Sequence, residues 1–241
     1  MFTLFKKEIR AFLSSLIGYI AICVFLLLVG LFLWILPENI LANGYAGLDA
    51  LFSLAPWVFL FLVPAITMRS FADEKKSGTI EFLLTKPLTD LQIIFAKYFA
   101  SVTLVLFSLL PTLIYYYTIY SLGNPIGNID AGGTWGSYIG LFFLASAFAA
   151  IGIFASSLSD NQIVAFILAV FLCFFCYIGF QYISMLDLFN KMDEFILSVG
   201  INEHYISMSR GVIDTRDIVY YFSLIAVFIL LTKTTLESRK W

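Results

Sequence analysis

Met68–Asp90 reads MRSFADEKKSGTIEFLLTKPLTD and separates two long apolar stretches. Eight of the chain's 14 basic and 16 acidic side chains fall within it, so this island must meet water while its flanks avoid it. Thr79 is a candidate N-cap, and Glu81 lies in the first turn of the helix it would start, where a carboxylate offsets free N–H groups and the positive end of the helix dipole. Lys86 falls at the far end, and Pro87 disfavours helical geometry in the residue before it, which stops the helix after about two turns. Ile80, Leu83 and Leu84 share one face with Phe82 on its flank, an i, i+3, i+4 stripe. Such a stripe needs cover, either from lipid or from a groove on a soluble protein. Asp73, Glu74 and Glu81 would be repelled by anionic headgroups, which favours the protein groove.

The rest of the chain is built to avoid water. Of its 241 residues 61% are hydrophobic and only 12% charged, against a usual charged fraction of about 25%. Six apolar runs stand out: Leu13 to Leu36, Leu51 to Met68, Tyr98 to Tyr120, Tyr138 to Ser156, Ile163 to Met185 and Ile218 to Thr232. Runs of this length predict an all-α polytopic membrane protein with six transmembrane helices. A net charge of −2 without any basic tract argues against nucleic-acid binding. Cys173 and Cys176 share a helical face but have no further Cys or His nearby to complete a metal site, and His204 cannot hold zinc alone. Packing is the simpler role for the cysteines, and a satisfied interfacial position for the histidine.

The amino terminus, MFTLFKKEIRAFLSS, sets Phe2, Phe5, Ile9, Phe12 and Leu16 along one stripe with Lys6, Lys7, Glu8 and Arg10 elsewhere. It predicts an interfacial helix leading into a retained span rather than a cleaved signal. Lys and Arg fix the orientation. Lys6, Lys7, Arg10, Arg69, Lys75, Lys76, Lys86, Lys97, Lys233, Arg239 and Lys240 all fall on one side of a six-span layout, whereas the loops 37–50 and 121–137 hold none. The expected topology is N-in and C-in. Trp34, Trp57, Trp135, Tyr138, Tyr220, Tyr221, Tyr120 and the Tyr115 to Tyr117 run read as an interfacial belt on the other side.

Finer features follow. Pro64 and Pro111 should kink their spans. Ala145/Ala149, Ser146/Ala150 and Gly152/Ser156 have small-xxx-small spacing, which lets backbones approach closely within the subunit or across a dimer. In SLSDNQ, Ser159 and Gln162 have capping-box spacing. Leu188, Met192, Phe195 and Val199 recur at helical spacing in the segment 186–217, which is too short for a folded domain and fits a surface helix or a re-entrant pair. Asp214 is a candidate cap for the last span, with Asp217 in its first turn.

None of the six apolar runs contains Asp, Glu, Lys, Arg or His. That counts against a proton-coupled carrier or ion pump, which needs such groups at membrane depth, and against an intramembrane hydrolase. Nor is there a phosphate-cradling G-x-x-x-x-G-K-[ST] loop. Energy for driven transport would have to enter from another chain.

The segment FADEKKSGTIEFLLTKPLTDLQIIFAKY resembles the first cytoplasmic loop of permease subunits of type-2 ABC exporters, where a coupling helix docks on the ATPase. The amino-terminal helix resembles their elbow helix. IGIFASSLSDNQIVAFILA and HYISMSRGVIDTRDIVYYFS resemble the gliding-motility branch that includes GldF and the NosY permeases. The resemblance spans nearly the whole chain, 1–241, as a single transmembrane permease domain. It implies an ATPase contact made by Glu74, Gly78, Thr79, Ile80, Glu81, Leu83, Leu84 and Pro87, and no cofactor or catalysis of its own. It also implies a cytosolic ABC ATPase partner, a second permease copy or a similar membrane subunit, a further membrane subunit with an extracytoplasmic domain, and a bacterial inner membrane as the setting. Two other readings fit the residues: an ATPase-independent channel, which would conduct in liposomes without nucleotide, and a membrane anchor that tethers a cytosolic or motility complex. A hydrolysis-dead partner would leave a tether working and stop a transporter.

Overall fold

The structure, a computed structural model, describes residues 1–37, 39–84, 88–186 and 193–238, without the side chains of Ile17, Phe82, Leu83 and Leu84. Among the described residues there are helices and no strands: α1 (Phe2–Leu13), α2 (Leu16–Trp34), α3 (Ile40–Asn43), α4 (Asp49–Thr67), α5 (Arg69–Lys76), α6 (Thr79–Leu84), α7 (Asp90–Leu109), α8 (Leu113–Leu122), α9 (Ala131–Leu158), α10 (Gln162–Phe174), α11 (Phe180–Met185), α12 (Asp193–Val199), α13 (Ile201–Ser209) and α14 (Thr215–Glu237). Among the described residues five helical stretches are long and apolar enough to cross a membrane: Asp49–Lys76, Asp90–Leu122, Ala131–Leu158, Gln162–Met185 and Thr215–Glu237. Phe2–Leu13 and Gly18–Trp34 count as a sixth if the two are taken as one span, with a bend of 67° between them. That bend turns the amphipathic α1 away from the direction of α2, as an interfacial helix requires.

Helix ends are set by local chemistry. Thr89 and Gln92 form a capping box at the start of α7, and Asp130 caps α9 by accepting from Gly133 N at 3.0 Å. Pro111 sits in a 3-10 turn, Leu110–Thr112, that divides the third span into α7 and α8, because proline supplies no N–H to the α-helical ladder. Pro64, by contrast, is accommodated within α4 together with Pro56. The fifth span contains a π-helical turn, Phe175–Gly179, between α10 and α11, which ends on Gly179, a residue of low helix propensity. Asn161, not Ser159, caps α10: its Oδ1 accepts from Ile163 N at 2.9 Å, while Ser159 Oγ accepts from Asn161 N. Gln162 is therefore free of the expected capping box and bonds Asp73 on α5 instead.

α9 is the central post. It packs against α4, α5, α7, α10, α13 and α14, and its apolar window is 78% buried, compared with 28% for each of the spans α10–α11 and α14. Small residues permit this. A Cβ on Gly152 would collide with the Thr67 side chain of α4, so the Gly152/Ser156 pair serves a contact within the subunit. Tyr138 and Tyr221, expected in an interfacial belt, are buried; Tyr138 reaches Thr112 Oγ1 at 3.1 Å. The phenol ring is amphipathic, and here its apolar body fills the core.

Candidate functional site

The polar island folds as two short helices joined by a corner. α5 continues the line of α4, ends at Lys76, and is followed by Ser77 and Gly78. Gly78 takes φ +69°, a left-handed conformation that glycine adopts without the Cβ penalty. α6 then starts at Thr79 itself. The Thr79 hydroxyl lies 2.8 Å from Ser77 Oγ and donates to the Glu74 carbonyl at 3.4 Å, so it ties the corner back onto α5 rather than preceding α6 as its cap.

The root of this corner is held on three sides. Ser156, on α9, accepts from Phe71 N at 3.0 Å and Ala72 N at 3.1 Å and donates to the Met68 carbonyl at 2.9 Å. One hydroxyl thereby uses all its hydrogen-bonding capacity, and the amides it binds are first-turn N–H groups that lack a partner within their own helix. Lys75 bonds the Ser157 carbonyl and Asp73 accepts from Gln162, both from the α9–α10 turn.

The third side is ionic. Lys97, on α7, is 1% exposed. Its ammonium donates to Glu8 Oε1 at 2.8 Å and to the Ser70 carbonyl at 2.6 Å, and pairs with Glu74 Oε2 at 3.0 Å. Lys7 completes the set by donating to Glu74 Oε1 at 3.0 Å. A charge removed from water persists only when its partners replace the lost solvation, and here the ammonium meets two carboxylates and a carbonyl. Partial burial works against the charge on Lys7, but the hydrogen bond and attraction of Glu74, with Glu8 adding, prevail and hold its ammonium above the ordinary lysine value. This small contribution is complete below pH 10.5 and is lost only as pH rises beyond that value.

The expected contact residues separate into two groups. Gly78, Thr79 and Glu81 are exposed at the tip of the corner. Ile80 is partly buried and packs against the core. The Glu74 carboxylate is turned inward, with 9% of the side chain exposed, and the pull of Lys97 and Lys7 explains why. The backbone of Leu83 and Leu84 lies in α6, while their side chains and Pro87 fall outside the described residues. The sequence reading also missed Lys97. Its place just after the polar island suggests a water-facing connection, whereas α7 begins at Asp90 and carries Lys97 inward. Its flanks offered a signal, since Ile93, Ile94 and Ala96 are buried and a lysine in their midst needs an acid.

At the opposite end, α12 and α13 form the pair of short helices between the last two spans, with Leu188 and Met192 outside the described residues. His204 Nδ1 lies 2.7 Å from Asp217 Oδ1 and Nε2 lies 2.9 Å from the Ser198 carbonyl. Both partners accept, so the arrangement is satisfied when both ring nitrogens carry hydrogen. Tyr220 stacks on the imidazole at 3.8 Å and donates to the Val199 carbonyl. Asp214 caps α14 through Arg216 N at 2.9 Å, and that bond holds its carboxyl below the ordinary value. Between α3, α4 and α9 the same end opens into a cavity of about 790 Å³ bordered by Trp34, Asp49, Asn128, Asp130 and Arg210.

Fold and site thus define a polytopic α-helical membrane protein carrying an anchored, water-facing corner. The model of the ABC-2 family transporter protein matches residues 37–234, and the chain belongs to that family. It is a permease subunit of an ABC transporter, a membrane component that is not itself catalytic and whose family pairs with an ABC ATPase subunit. No curated protein matches the chain.

Proposed function

We propose that this permease works as an exporter of the gliding-motility branch, driven by a separate cytosolic ATPase that docks on the α5–α6 corner. The observation that carries this reading is mechanical. The corner exposes Gly78, Thr79 and Glu81 at its tip, yet Lys97, Lys7 and Ser156 bind its root to α7, α1 and α9. A push on such a tip moves the helices and is not absorbed by a soft loop. Nucleotide-driven closure of two ATPases would rock two permease bundles, either two copies of this chain or this chain with a similar subunit, and open a path between them. The partly exposed spans α10–α11 and α14 leave faces for such a partner. A further membrane subunit with an extracytoplasmic domain would meet the end formed by α12 and α13. The setting is the bacterial inner membrane with both termini in the cytoplasm.

In this reading Gly78, Thr79 and Glu81 touch the ATPase, together with Ile80, Leu83 and Leu84 of α6 and, later in the sequence, Pro87, while Glu74 positions the corner from behind. Glu81→Lys reverses a charge at the tip without touching the root. It should abolish co-purification of the ATPase while leaving membrane insertion and thermal stability unchanged. Recovery of the ATPase at wild-type yield would remove the corner as its docking site.

A further inference from the structure

A second cavity lies behind the corner, between α1, the α4–α5 junction and α7, with a volume of about 220 Å³. Its two ends differ. Towards the polar island it is bordered by Lys7, Arg69, Asp73 and Glu74, and away from it by Phe12, Ile66, Ala100 and Leu104. Arg69 directly follows the apolar stretch of α4, which places it where hydrocarbon gives way to headgroups. The cavity therefore has the polarity gradient of an amphiphile and lies at the depth of a lipid's polar head.

Arg69 supplies the specific feature. Its Nη1 donates to Ser15 Oγ at 2.9 Å, which fixes the guanidinium against the α1–α2 bend. Its Nε is buried and has no partner among the described residues, and no carboxylate pairs with it there. A guanidinium is a strong, rigid donor suited to a phosphate, and burying one of its donors without an acceptor is costly. The cavity's other two cations are engaged, since Lys97 and Lys7 are bound by Glu8 and Glu74.

Charge balance selects among phosphates. The lining carries three cations, Lys7, Arg69 and Lys97, and three anions, Glu8, Asp73 and Glu74, so a guest with a net negative charge finds no net attraction. A guest bearing both signs does better. Asp73 stands four residues beyond Arg69, about 6 Å along the axis, a span that the two methylenes separating phosphate from amine in an ethanolamine head bridge with the two side chains. The geometry points to a binding site for a zwitterionic phospholipid, its phosphate on Arg69, its primary amine towards Asp73 and an acyl chain along Phe12, Ile66 and Leu104. This site requires the membrane setting and not the ATPase contact, so it and the docking corner stand or fall separately.

The test is native mass spectrometry of the full chain released from nanodiscs holding equal phosphatidylethanolamine and phosphatidylglycerol. The wild-type chain should retain the ethanolamine lipid over the glycerol lipid by about fivefold or more, a difference of roughly 1 kcal/mol. Arg69→Gln should lower that retention by a similar factor, Arg69→Lys should recover part of it, and Lys6→Gln, on the exposed side of α1, should change nothing. Equal retention of the two lipids by the wild-type chain would overturn the proposal without need of any variant. So would undiminished retention by Arg69→Gln, or release of the lipid by millimolar inorganic phosphate, which would show a site for the free anion.

Discussion

Both ends of the helical bundle bury carboxylates, and they treat them differently. At the end that carries α5 and α6, Glu74 and Glu8 meet Lys97 and Lys7; Glu74 Oε2, which accepts no hydrogen bond among the described residues, still lies 3.0 Å from the Lys97 ammonium as an ion pair. At the end that carries α12 and α13, Asp217 is 5% exposed and meets one imidazole through Oδ1, while its Oδ2 and the nearby Tyr221 hydroxyl are buried without a partner among the described residues. A balanced network fixes the relative position of three helices, because moving any one exposes a charge to hydrocarbon. A single pair fixes α13 against the start of α14 and reaches no third helix. The first arrangement suits an element that must transmit force. The second suits a local join, its spare oxygens lying too deep for a neighbouring chain to reach.

Removing the hub of the balanced network should produce the largest effect. Lys97→Met leaves Glu8 and Glu74 sharing Lys7, which itself is largely exposed, and stranding buried acids costs about 3–5 kcal/mol. The expected outcome is a large fall in the melting temperature in detergent, much of it recovered by adding Glu74→Gln. A melting temperature within error of wild type would show that the network is dispensable and would erase the contrast between the two ends.

Asp217→Asn should cost less, about 1.5–3 kcal/mol, the usual worth of hydrogen bonds to charged groups. It replaces the charge facing His204 with an amide that can keep only part of the bonding. Hydrogen exchange should rise in α13 and the first turn of α14 and stay unchanged in α5. An increase in α5 as well would mean that the two ends are not independent.

The last substitution concerns how closely helices approach at the α5 end. Gly152→Ala drives a methyl group into Thr67, against its Oγ1 and 2.9 Å from its Cβ, and overpacking of this kind costs about 1–3 kcal/mol. Thr67→Ala should recover part of the loss, because it removes Oγ1 and Cγ2 and leaves the Cβ contact at 2.9 Å, while the hydroxyl it gives up bonds carbonyls of its own helix, Val63 and Pro64. Failure of that rescue would assign the cost to a contact other than the α4–α9 crossing.

Much of this was readable from the chain because it follows from local chemistry. The six apolar runs, the amphipathic α1, the polar island with its helix from Thr79, and the Asp214 cap each depend on residues within a few positions of one another. The island's inward and outward sides were not readable. Glu74 and Glu81 look alike in sequence, both acids flanking a short helix, and only Glu81 remains exposed. Tyr221 likewise reads as an interfacial aromatic and proves to be among the largest fully buried side chains. Ser159 offered a better capping pattern than Asn161, yet Gln162 is drawn to Asp73, which lies 89 positions earlier in the chain.

Sequence alone determined that this is a membrane-spanning helical protein with one concentrated water-facing segment, because hydropathy and helix signals are summed over short windows. Tertiary structure decided which charges leave water. Glu8 and Lys97 are 89 positions apart, and whether an acid points to solvent or into a network depends on which helix packs beside it, information that no short window contains.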